Sequence, residues 1–292
     1  MRRIIVHLTL IFSSVFQAHS DLLPLGDGKI SPSPARGYVF SCLKGFPGGG
    51  GAQRAGEWID LTKGVWSAQD KPFVEGNVAW PNSSITVTIE GTLEGEVRVV
   101  RANNLPKHPT GEFPIKPGTK AYAYDRNPNK IREQAVLLEL PARPKIVARA
   151  GCVPLGMIGF SLGGVAIFNA FDLQGRDAPA YEIQDKCKGH PERTGQYHYH
   201  DWSACIVDKS GSSGKQSDVV GYALDGFPIL GPKGPGGKDV TNADLDECHG
   251  KMGPVVLDGK TVTTYFYQFT REYPYTLGCF RGVVNPRLLE HK

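Results

Sequence analysis

The chain has 292 residues, 40% of them hydrophobic and 21% charged, which is enough to bury a core in one large domain or two ordinary ones. A formal charge of +4 carried by scattered basic residues excludes a partner recognised through a Lys/Arg run, whether nucleic acid or an anionic membrane. With 36 glycines and 22 prolines, turns are frequent and long helices have little room.

Residues 1–20 have the layout of a signal peptide. Met1-Arg-Arg3 is a short basic region, Ile4–Phe16 is apolar, and Ala18-His-Ser20 offers small residues at the cleavage positions. The apolar run is too short for a bilayer that needs about 20 residues. Cleavage would start the mature chain at Asp21 and lower its formal charge to +2. The expectation is a secreted, extracellular protein without a transmembrane anchor.

Residues 21–59 read as a loop-rich N-terminal extension. Their "GFPGGGGAQRAG" lacks the Lys-Ser/Thr ending of a phosphate loop and is taken as a turn. Asn82-Ser-Ser84 is a sequon, which makes Asn82 a candidate glycosylation site. Ser84–Glu90 and Gly95–Arg101 alternate as the two arms of a hairpin, and further strands are predicted over Ala135–Leu140, Lys145–Arg149 and Val153–Gly159. No helical periodicity extends over ten residues. The fold class expected is mainly β: a disulfide-stabilised domain over 60–285 with long loops, few short helices and a tail over 286–292.

Gly159-Phe-Ser161-Leu-Gly163 matches the pattern of a nucleophile elbow. That device needs a parallel sheet made of strand–helix units, and the helices are lacking. The segment is read as a tight glycine turn.

Beyond Gly151 the chain becomes rich in Cys, His, Tyr and Asp, and a weak repeat emerges. Asp185-Lys-Cys-Lys-Gly189, Tyr197-His-Tyr-His200 and Cys205 are followed by Asp246-Glu-Cys-His-Gly250, Tyr265-Phe-Tyr-Gln268 and Cys279. An even count of cysteines in an oxidising compartment favours disulfides, and six of them allow 15 pairings. If each repeat closes on itself, the pairs are Cys187–Cys205 and Cys248–Cys279, which leaves Cys42–Cys152.

Within Tyr197–His200, strand geometry puts the two tyrosines on one face and the two histidines on the other, about 6.5–7 Å apart along the chain. Imidazoles at that spacing can converge on one zinc or copper ion. His198 and His200 are the primary ligand candidates. His190 can fold back beside the strand, and His249 and Asp225 are further possible completions. A hydrogen-bonded cluster without metal, or acid–base use of the histidines, are the competing readings.

Several segments together carry a resemblance: "NNLPKHPTGEFP" (103–114), "NAFDLQGRDAPAYEIQDKCKGHPERTGQYHYH" (169–200), "VVGYALDGFPILGP" (219–232), "NADLDECHGK" (242–251) and "EYPYTLGCFRG" (272–282). Over roughly 80–285 the chain resembles the YHYH-domain family of mostly secreted proteins, for which the resemblance implies no assigned reaction. That family typically has a second Tyr-His-Tyr-His where Phe266 and Gln268 stand here, and an Asn near the position of Ser161. The resemblance thus implies an intact fold, one surviving histidine pair, and no serine nucleophile. The function expected is extracellular binding of Cu or Zn through the first Tyr-His-Tyr-His strand. Its alternatives are an extracellular-matrix or mineral-associated structural protein with a vestigial site, and a secreted hydrolase-type enzyme.

Overall fold

The computed structural model describes residues 22–92 and 95–289; the signal-peptide expectation falls outside them. Short strands β1 (Leu22–Pro24), β2 (Ile30–Ser31), β3 (Val39–Phe40), β4 (Ile59–Asp60) and β5 (Val65–Ser67) make two small sheets, β1-β5-β4 and β2-β3. Strands β6 (Ile85–Thr92), β7 (Gly95–Ala102) and β8 (Val136–Pro141) form an antiparallel meander, the predicted hairpin with one added strand. The main sheet holds β9 (Met157–Ser161), β10 (Ala166–Phe168), β11 (Gly189–Pro191), β12 (Tyr197–Tyr199), β13 (Val219–Ala223), β14 (Pro228–Leu230), β15 (Gly250–Leu257) and β16 (Lys260–Gln268). The only α-helices among the described residues are single turns, α1 (Ala178–Tyr181) and α2 (Lys209–Ser212). The molecule is mainly β, as the turn-rich composition predicts. Lys145–Arg149 is a correction: it is not a strand but an irregular connection, attached through Val147 N–H to the Arg281 carbonyl.

The strand order of the main sheet, β11-β12-β10-β9-β13-β14-β16-β15, reads as two copies of one four-strand unit placed back to back. In each copy an antiparallel pair (β9-β10, β13-β14) is followed by a parallel step (β10-β12, β14-β16) and an antiparallel outer pair (β11-β12, β15-β16). The register makes the repeat longer than the cysteine motifs indicate. Gly159 faces Ile167 in the first copy as Gly221 faces Ile229 in the second. "GFSLGGVAIF" (159–168) is therefore the counterpart of "GYALDGFPIL" (221–230). The copies meet where β9 pairs with β13, Phe160 opposite Tyr222, with Gly159 opposite Ala223 and Gly221 opposite Ser161.

Glycine is required at this junction because the backbones and isoleucines interlock across it. A methyl on Gly159 would lie 2.7 Å from the Tyr222 carbonyl and 3.1 Å from Ile229 Cδ1; one on Gly221 would lie 2.7 Å from the Phe160 carbonyl and 3.4 Å from Ile167 Cδ1. The meander packs on the same junction. Arg98, buried on β7, lays its guanidinium 4.2 Å from the Tyr222 ring centre and makes two 2.8 Å bonds to Asp258 in the β15–β16 turn.

The three disulfides join Cys42–Cys152, Cys187–Cys205 and Cys248–Cys279. Two close the repeats individually. The third attaches the N-terminal stretch, whose Val39 is fully buried in the main core. A second core of Leu25, Trp58, Trp66, Val74, Tyr181 and Ile183 lies between the N-terminal strands and α1.

Overpacking a core with one methyl costs about 1–3 kcal/mol. Gly159→Ala and Gly221→Ala should each lower the melting temperature by several degrees, by similar amounts because the repeat makes the sites equivalent. Gly163→Ala, whose methyl meets nothing nearer than 3.5 Å, should shift it little in the same calorimetric scan.

Candidate metal centre

The Asp185–Gly189 turn shapes the site. Asp185 is buried, and its carboxylate accepts from the N–H groups of Gly111, Cys187 and Gly189 and from the Tyr197 hydroxyl. Burial pushes its pKa up, and those donors hold it down in part. Gly189 has no side chain because the Tyr197 ring covers its α-carbon: a methyl there would sit 2.1 Å from Tyr197 Cζ. Leaving the turn, the chain pairs as β11 with β12, so that His190 stands directly opposite His198.

His200 lies just past the end of β12, and its ring meets that of His198, Nε2 to Nε2, at 3.1 Å. His190 packs against both, with ring centres at 4.5 and 5.4 Å. Ligand atoms of the three histidines all lie within 4.8 Å of one another, and each residue is at most 4% exposed. The tyrosines point the other way. Their rings meet edge to face at 5.7 Å, with Tyr197 on Asp185 and Tyr199 hydroxyl bonded to His108 Nε2 at 2.5 Å.

A fourth group, absent from the sequence expectation, completes the cluster. Glu182 Oε2 lies 3.2 Å from His200 Nε2 and 3.5 Å from His190 Nε2. It follows α1 in extended conformation, between Tyr181 and Ile183, which both face the second core. Alternation along the extended chain then turns Glu182 toward the histidines. No motif marks it. The fold brings it there through packing of its neighbours, the Trp58 indole donating to the Ala180 carbonyl and Ile183 N–H donating to Asp125.

Backbone carbonyls set the tautomers. His198 Nδ1 lies 3.0 Å from the Gln196 carbonyl and His200 Nδ1 lies 2.5 Å from the Asn169 carbonyl. A carbonyl can only accept, so each Nδ1 carries the proton and each Nε2 presents a lone pair inward. Phe168 stacks on His198 at 3.8 Å and fixes its plane. Burial first, then the neighbouring imidazoles, drive the pKa of His190 and His198 well below the usual value. Burial opposes charge on His200 too, but the Glu182 carboxylate outweighs it and lifts that pKa. Both nitrogens of His190 and Oε2 of Glu182 are buried without a hydrogen bond.

His249 and Asp225 lie outside the cluster. His249 occupies the second-copy position of Lys188, both with positive φ (69° and 61°), and its Nε2 shares a 3.0 Å hydrogen bond with Thr270 Oγ1. Asp225 is fully buried and saturated by the Tyr267 hydroxyl and the N–H groups of Phe227 and Gly282. It positions the second tyrosine pair and has no lone pair to spare for the first copy. In the second copy the place of His190 is taken by Lys251, of His198 by Phe266 and of His200 by Gln268. Ser161 is completely buried at the end of an antiparallel strand, and its Oγ accepts from Val165 N–H, which is a turn and not an elbow. Asn82 is exposed.

These features define a mainly β, disulfide-bonded protein built on an internal two-fold repeat, with one buried cluster of three histidines and a glutamate able to hold a metal ion. Residues 138–241 match the family model described as YHYH protein. The match is narrower than the 80–285 expected, but it contains the whole cluster and ends after the first strands of the second copy. Neither the curated proteins nor the solved structures gave a match.

His249 supplies a pH test free of the cluster. Burial lowers its pKa from 6.5 to about 3. The unfolded chain therefore binds a proton below pH 6.5 that the native protein refuses, so stability present above 6.5 is lost as pH falls toward 3. His249→Asn, which tolerates the positive φ, removes that term. Denaturant unfolding at pH 7 and pH 4.5 should show a smaller acid loss in the variant than in the wild type; equal losses would refute the assignment.

Proposed function

We propose that the protein is a secreted metal-binding protein that holds one transition-metal ion through His190, His198 and His200, with Glu182 as the fourth ligand. The observation that carries this reading is the pair of inward lone pairs at 3.1 Å on His198 and His200. Two such nitrogens repel unless a cation lies between them. A shared proton would satisfy that pair alone and leave both nitrogens of His190 unpartnered in a buried site. A metal ion would satisfy the two facing lone pairs, one nitrogen of His190 and Oε2 of Glu182 together.

Zinc fits better than copper. Bonds of 2.0–2.1 Å in a tetrahedron separate ligand atoms by about 3.3 Å. Three of the six separations, at 3.1, 3.2 and 3.5 Å, straddle that value, and all those among the histidines are within 4.8 Å, whereas Cu(II) favours a tetragonal arrangement with unequal ligand spacings. The Nδ1–carbonyl bonds are the outer-shell partners that zinc-bound imidazoles use. With three imidazoles, a carboxylate and little exposure, the site has the character of a closed, structural centre that anchors the β11–β12 pair to α1. Secretion is supported by the three disulfides, which persist in oxidising compartments, and by the exposed sequon at Asn82.

The test is metal content of untagged protein by plasma emission spectrometry. About one equivalent of zinc is expected for the wild type and none for His198→Ala/His200→Ala, while Glu182→Gln should bind about 10–100-fold more weakly. Chelation should also lower the melting temperature, and added zinc should restore it. Equal metal in the wild type and the double variant would end the proposal.

A further inference from the structure

A cleft of about 150 Å³ opens beside the Pro179–Asp185 segment at the edge of the second core, lined by Trp66, Lys71, Phe73, Pro179, Lys186 and Lys188. It combines one apolar wall with a cation that has no carboxylate of its own. The ammonium of Lys71 donates to the Pro179 carbonyl and to Gln184 Oε1, both neutral, and sits 5.9 Å from the Trp66 ring centre. The acidic groups of the lining are already engaged. Asp185 is saturated by its turn, and Asp201 forms an ion pair with Lys188 at 2.5 Å. The charge left over is positive. Burial brings the Lys71 amine down to about 8, with Asp201 and Glu182 opposing that fall, so it is still mostly cationic at neutral pH.

The opposite wall is chemically complementary to a ring or short chain. Trp66 is 2% exposed and its indole N–H has no acceptor, while Phe73 is 49% exposed at the rim. A cavity of this size takes one six-membered ring. We propose that this cleft is a binding site for a small organic carboxylate, its carboxylate on the Lys71 ammonium and its apolar body between Trp66, Phe73 and Pro179. An ammonium whose two acceptors are both neutral gains from a carboxylate a charge-assisted bond of a kind water supplies poorly in a low-dielectric cleft. The site is separate from the histidine cluster and needs no metal.

Benzoate and its neutral isostere benzamide are the probes, with calorimetric titration of the whole protein at pH 7. Saturable one-to-one binding of benzoate is expected, with benzamide at least about tenfold weaker, the magnitude of one charge-assisted hydrogen bond. Lys71→Met should weaken benzoate by a similar factor and leave benzamide unchanged. Phe73→Ala, at a position outside both cores, should weaken both ligands alike, and it decides the matter if the lysine variant does not fold. Equal binding of benzoate and benzamide, no saturable binding by the wild type, or displacement of benzoate by inorganic phosphate at equal concentration would each overturn the proposal. The last outcome would leave only an unselective anion site.

Discussion

A buried carboxylate in a five-residue turn governs the first copy. Placing the Asp185 carboxylate inside a protein costs several kcal/mol unless donors surround it. Three amides and a phenol do so. Because those donors belong to the turn, to Gly111 beside it and to β12, satisfying one acid fixes the position of Cys187, the pairing of His190 with His198, and the direction of the whole Tyr-His-Tyr-His strand. Asp246 repeats the arrangement with the amides of Cys248 and Gly250 and the Tyr265 hydroxyl. The tyrosines of the motif are therefore structural. Tyr197 ties the strand to the acid and Tyr199 ties it to His108, which leaves the other face to present imidazoles.

The two copies are one solution to the same packing problem with different fillings. Gln268 donates to the Gly231 and Lys233 carbonyls, as His200 Nδ1 donates to Asn169. Phe266 packs against Leu230 and Val255 where His198 stacks on Phe168. The second copy buries apolar surface at the place where the first buries polar nitrogens. Apolar contact contributes roughly 25 cal/mol per Å² of burial with no ion required. Polar nitrogens at the same place stabilise only when every lone pair has a partner. One chain thus contains both alternatives on a common backbone, and the contrast isolates what is particular to the first copy.

Much of the local structure was legible in the sequence, because its causes are local. The hairpin over β6 and β7 follows from strict alternation, and the histidine face of β12 follows from the two-residue period of an extended chain. The cysteine-containing repeat pairs its cysteines within each copy because both lie on one closed supersecondary unit. Lys145–Arg149 has the short apolar run of a strand and yet is none, since composition only marks a chain that can pair and does not supply the neighbour. The long repeat of "GFSLGGVAIF" and "GYALDGFPIL" escaped because only two glycines, one leucine and one isoleucine are identical. It emerges when the register places each glycine opposite its isoleucine.

By itself the sequence determined the class of fold and the shared face of His198 and His200, which follow from local composition and from a spacing of two residues, and its repeat pointed to the pairs Cys187–Cys205 and Cys248–Cys279. Tertiary structure alone decided the composition of the centre. Glu182 enters from a segment whose direction is set by Tyr181 and Ile183 in a separate core, while Asp225 and His249, equally plausible as ligands on paper, are consumed by a tyrosine and a threonine of the second copy. A ligand set is a property of convergence in space. Residue type says which side chains are able to bind, and only the packed elements behind them say which ones arrive at the same point with a lone pair unspent.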